Sequence, residues 1–77
     1  MKKLIEFLIT SIIDQPEKFS LEESTTEAGF TNYIISVAPE DMGKVIGKKG
    51  KIIKALRTII RTKGLKENKR AILSLQE

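Results

Sequence analysis

The sequence predicts an α+β domain whose elements run helix, strand, strand, helix, helix, strand. Apolar residues recur at helical spacing in "MKKLIEFLITSII" and "KIIKALRTII", and they alternate with period two in "TNYIISVA" and "RAILSLQ". Proline and glycine punctuate the junctions. Seventy-seven residues allow one domain with one small core, and no internal repeat divides them. A core that small often leans on disulfides, a metal or a second subunit. The chain has no cysteine and no histidine, which leaves a partner as the remaining supplement. The missing cysteine also fits a reducing compartment.

In the first helix Leu4, Ile5, Phe7, Leu8, Ile9, Ile12 and Ile13 spread around about two thirds of the circumference, far beyond an ordinary apolar stripe. One face can cover a sheet; the surplus is either a partner surface or part of an unusually enclosed core. The segment imitates a signal peptide, but Glu6 interrupts it and no small-residue cleavage site follows. It is also far short of the roughly 20 residues of a membrane span, so it reads as a helix of a soluble intracellular protein. Asp14 to Pro16 should stop it. "SLEESTTEAGF" is polar apart from Leu21, which suits a solvent-facing edge strand followed by a turn at Ala28-Gly29. Tyr33, Ile35 and Val37 alternate with Ile34, Ser36 and Ala38, as in a central strand. Pro39 can be a first helical residue, and Glu40 and Asp41 put negative charge where a helix N-terminus favours it. A short helix, about Glu40 to Ile46, should end at Gly47. A second should begin near Gly50, with Ile52, Ile53, Leu56, Ile59 and Ile60 inside an arc of about 120°. Lys51, Lys54, Arg57 and Arg61 point the other way. Gly64 is a suitable helix stop, "LKENK" a polar loop, and Ala71, Leu73 and Leu75 one face of a last strand.

Charge is segregated along the chain. Met1 to Gly43 holds three basic and eight acidic residues, whereas Lys44 to Lys63 holds eight basic residues and no acid. A polyanion suits that second stretch. At its centre stands Gly47-Lys48-Lys49-Gly50. Glycines let a turn's main chain approach a phosphate closely, and the free amides and dipole at the start of the following helix favour the same anion. Lys48 and Lys49 add mobile positive charge. Other phosphate loops do not fit: a Walker motif needs four residues between its glycines and a Lys-Ser or Lys-Thr after them, and no G-x-G occurs. Without histidine or cysteine, and with carboxylates at no ligand spacing, neither a metal, a cofactor nor catalysis is expected.

Between two helices, after one clear strand and before another, Ile46-Gly47-Lys48-Lys49-Gly50-Lys51-Ile52-Ile53 resembles the Ile-Gly-x-x-Gly-x-x-Ile signature of the KH domain, whose G-x-x-G loop clamps four nucleotides. With "APEDMGKVIGKKGKIIKALRTII", the element order and the length, the whole chain is similar to the small stand-alone bacterial KH proteins of the KhpA family. The likeness implies one KH domain over residues 1–77 of type II, with three helices on one face of a three-stranded mixed sheet. It implies single-stranded RNA as the ligand, held by Lys44, Gly47, Lys48, Lys49, Gly50, Lys51 and Lys54. Val45, Ile46 and Ile53, with Ile35 or Val37, would line an aliphatic groove, although core packing competes for each of them. The aromatics Phe7, Phe19, Phe30 and Tyr33 all lie outside the basic segment. For Arg57 and Arg61, farther along the helix, a partner subunit or plain solvation competes with RNA. The family also implies a cytoplasmic RNA chaperone or post-transcriptional regulator, linked to cell elongation and envelope homeostasis. Such proteins pair with themselves or with a larger Jag-like KH protein, and Leu8, Ile12, Ile59 and Ile60 are the candidate dimer contacts. A protein-interaction subunit with a vestigial RNA loop is the alternative role.

Overall fold

The computed structural model describes residues 1–76. Helix α1 (Lys2–Thr10) leads to strands β1 (Ser20–Thr25) and β2 (Phe30–Ser36), then helices α2 (Met42–Ile46) and α3 (Lys51–Lys66), then strand β3 (Arg70–Leu75). The strands form one sheet in the order β1-β2-β3. β1 runs antiparallel to β2, and β3 runs parallel to it, so the sheet is mixed. The helices pack on one face, which is the type II KH architecture.

The core lies between that face and the helices. Ile5, Ile9 and Ile13 meet Tyr33 and Ile35 of the central strand and Val37 just after it, Ile53, Leu56 and Ile60 of α3, and Ala71 and Leu73 of β3. The alternation in "TNYIISVA" therefore means what it suggested: alternate residues point into the core. On the opposite face the Ser74 hydroxyl donates to Asn32 Oδ1 at 3.0 Å. β1 tolerates its polar sequence because it is an edge strand with Leu21 alone half-buried. Its charged Glu22 and Glu23 also discourage pairing with another chain's strand.

Two boundaries differ from expectation, each for a physical reason. α1 ends at Thr10 rather than at Asp14. The Thr10 and Ser11 hydroxyls donate back to the carbonyls of Glu6 and Phe7, offering the backbone an alternative to continued helix. The apolar surplus of α1 mostly joins the core, since Leu4, Leu8 and Ile12 are half-buried against it and only Phe7, 68% exposed, points outward. Gly64 does not stop α3, which continues through it to Lys66. A Cβ at Gly64 would stand 3.0 Å from Ala71 Cβ and 3.1 Å from Lys69 O, so this glycine serves the close approach of helix and strand. The chain reverses instead at Asn68, with φ 58°, a conformation asparagine accepts more readily than most residues.

Asp41 is the main feature the sequence did not disclose. A 3-10 turn (Pro39–Asp41) precedes α2, and the Asp41 side chain caps no helix amide. Buried to 1% exposure, its carboxylate instead accepts the backbone N–H of Asp14 at 3.1 Å and of Gln15 at 2.9 Å. It thereby pins the segment after α1 to the entrance of α2.

Candidate nucleic-acid interface

The loop between α2 and α3 owes its shape to its glycines. The Gly47 amide closes α2 by donating to Gly43 O at 2.8 Å, and the Gly50 amide donates to Gly47 O at 3.1 Å, forming a single 3-10 turn (Lys48–Gly50). Gly47 adopts φ 76°, ψ 172°, a region open essentially to glycine alone. A Cβ there would also collide with Ile52, 2.6 Å from its Cγ1. Gly50 is left-handed at φ 73°, ψ 15°, and a Cβ there would meet only ordinary contacts, Ile53 Cγ2 and Lys54 Cε at 4.0 Å. Lys49, at φ 58°, ψ 24°, is also left-handed. The two exposed lysines therefore sit on a tight turn directly before the 16-residue helix α3, whose first amides and dipole point toward an incoming anion.

The sequence-predicted site residues divide into four groups. Gly47, Lys48, Lys49, Gly50, Lys51 and Lys54 are together on the loop and the first turns of α3, and the four lysines are exposed. Val45 has no exposed surface and Ile53 is 7% exposed, so these two hold the loop from beneath and cannot line a groove. Ile35 and Val37 are core residues as well. Ile46 remains half-buried and, with Met42, Ser36, Val37, Pro39 and Gln76, borders a shallow hollow of about 380 Å³ beside the loop. Lys44 stands apart because its ammonium hydrogen-bonds to Asp14 and lies 4.0 Å from Asp41. The hydrogen bond to Asp14 holds its pKa above the ordinary lysine value. Among the described residues the only other ion pair is Lys63–Glu67, which leaves Lys48, Lys49, Lys51, Lys54, Arg57 and Arg61 without an acidic partner there.

The arginines have a more definite place than their spacing indicated. Arg57 Nε donates to Leu73 O at 3.3 Å, across from α3 to β3. Gln76 N–H points the other way, to Ile35 O at 2.8 Å on β2. By the alternation of a strand, the main-chain groups of Ala71 and Leu73 face away from the sheet, toward Arg57 and Arg61. A trough of about 330 Å³, lined by Arg57, Arg61, Ala71, Ile72, Leu73 and Ser74, runs along this unpaired edge. No sequence signal short of the sheet order could reveal it. Of the candidate dimer contacts, Ile60 is 1% exposed and belongs to the core, which corrects the expectation that it is an interface residue. Leu8 and Ile12 pack against that core, whereas Ile59, 43% exposed, stands beside Leu4 on the outer surface.

A sequence model of the KhpA/KhpB KH-domain family matches residues 2–75 of the chain. The RNA-binding protein KhpA of Clostridium acetobutylicum is 45% identical over 75 residues, covering 97% of this chain and 99% of the relative. The RNA-binding protein KhpA of Listeria monocytogenes is 39% identical over 77 residues, the full length of both. That of Chlamydia pneumoniae is 35% identical, covering 100% of this chain and 97% of the relative.

Proposed function

Because the chain belongs to the KhpA/KhpB KH-domain family, we propose that it binds single-stranded RNA through the loop at residues 47–50 and serves as a cytoplasmic RNA chaperone or post-transcriptional regulator. Its KH-domain family is one of binding modules, and the chain carries neither histidine nor cysteine.

The observation that carries the reading is the loop itself, two glycines at positive φ flanking two exposed lysines at the mouth of a long helix, with no acidic partner among the described residues. Its bare main chain meets a phosphate, Lys48 and Lys49 each neutralise one of the next two, and Lys51 and Lys54 continue the cationic path along α3. Bases turn toward the trough, where Ile72 offers aliphatic surface and the unpaired edge of β3 offers a main-chain donor and acceptor. Arg57 and Arg61 wall its far side. Lys44, already paired with Asp14, adds to the field more than to direct contact. Titration of the isotopically labelled protein with oligoribonucleotides at low ionic strength should shift the amide resonances of Gly47 to Gly50. Unmoved resonances there would end this reading.

A second reading concerns partners. Ile59 and Phe7 are exposed apolar side chains on the helical layer, and a pair of copies, or a copy with a larger Jag-like KH protein, would cover them. Two linked RNA sites raise avidity through effective concentration. Ile59→Lys should halve the mass measured by light scattering while leaving the loop's response to RNA intact. An unchanged mass would remove Ile59 from the interface.

A further inference from the structure

We propose that the trough continues into a second base-binding hollow at the far end of α3, so that the footprint on RNA exceeds the four nucleotides a KH loop clamps. This rests on the reading of the loop as an RNA site. The hollow, about 350 Å³, shares Arg61, Ala71 and Ile72 with the trough, which makes the two continuous along the free edge of β3. It wraps the start of that strand. Its floor is apolar, formed by Phe30, by Leu65 at 64% exposure and by Ile72 at 43%. Its rim is cationic, formed by Arg61, Lys69 and Arg70, and among the described residues no acidic one lines it. Leu65 lies fifteen residues after Gly50, which places the hollow about 22 Å along the helix from the loop.

An exposed apolar floor inside a ring of unneutralised cations fits a planar base whose own phosphates are anionic. An apolar protein partner would have to strip water from three positive charges without supplying any compensation. Phe30 adds the specific element. The Arg70 guanidinium lies 5.4 Å from its ring centroid, and the two residues face each other across β2 and β3. An aromatic ring and a guanidinium plane are the two surfaces on which unstacked bases settle. Sequence order hides this platform, because Phe30 precedes the basic stretch by fourteen residues and only the parallel pairing of β2 with β3 carries it there.

Phe30→Leu keeps an apolar side chain of similar reach and all the charge but removes the aromatic face. Anisotropy titrations with oligoribonucleotides of four and eight nucleotides should show unchanged affinity for the tetramer and roughly tenfold weaker binding of the octamer relative to wild type. Comparing the two proteins at one length cancels the extra registers available on a longer strand. On the wild type, the ring protons of Phe30 and the methyls of Leu65 should shift with the octamer and not with the tetramer. Equal binding of the octamer by both proteins, or silent Phe30 and Leu65 signals while the Gly47 to Gly50 amides move, would overturn the second hollow and leave the loop reading standing. Silence at both places would end both.

Discussion

Lys48→Asp combined with Lys49→Asp should weaken binding of single-stranded RNA by on the order of 30-fold or more while leaving the fold and the thermal midpoint close to wild type. Each replacement removes a charge-assisted phosphate contact of about 1 kcal/mol at least, and the two together multiply to that factor. Reversing the charge adds repulsion. The salt dependence gives a separate signature, since each phosphate neutralised on a single strand contributes about −0.7 to the log-log slope. With two phosphates no longer neutralised, that slope should flatten by about 1.4. The fold should survive because both side chains are exposed and because aspartate tolerates the left-handed conformation of residue 49 better than most residues. Crosslinking to cellular RNA at wild-type level by the double variant would show that the loop is vestigial and would favour the interaction-subunit reading.

Asp41→Ala should have the largest effect on stability, on the order of 3 kcal/mol in urea unfolding. The substitution leaves the amides of Asp14 and Gln15 without their acceptor in a partly buried place, at about 1–3 kcal/mol for each unsatisfied group. It also deprives Lys44 of one of its two carboxylate neighbours. Because the damage lies at the far end of α2 from the loop, the two variants should separate cleanly. One loses RNA with its midpoint intact; the other loses stability but, when kept folded at low temperature, still answers RNA at Gly47 to Gly50. A loss below about 0.5 kcal/mol would mean that water replaces Asp41 at little cost.

These contrasts also mark what the sequence could disclose. Periodicity was enough for the elements, and the edge position of β1 followed from its lack of apolar residues. The loop was legible because its residues are contiguous: glycines, lysines and helix entrance lie within a few positions of one another. Features assembled from distant segments were not. The pairing of Asp41 with the amides of Asp14 and Gln15 spans more than two dozen residues of chain, and nothing in "PED" distinguishes a helix-dipole charge from a buried acceptor. The arginine-lined trough needs the sheet order before it exists. Burial sorted neighbours that spacing grouped together, keeping Val45 and Ile60 inside while leaving Ile46 half-buried and Ile59 exposed. Gly64 misled for a related reason: a glycine just before a polar stretch reads as a terminator, whereas here its missing side chain makes room for Ala71.

The unequal margins of the sheet carry one more consequence. Glu22 and Glu23 fringe β1, while Arg57, Arg61 and Arg70 fringe β3, two strand spacings or about 10 Å away. A body so polarised experiences a torque near any strongly negative polymer and swings its arginine side forward before first touch. Encounters are thus pre-aligned, and adding electrolyte slows arrival as well as loosening the hold.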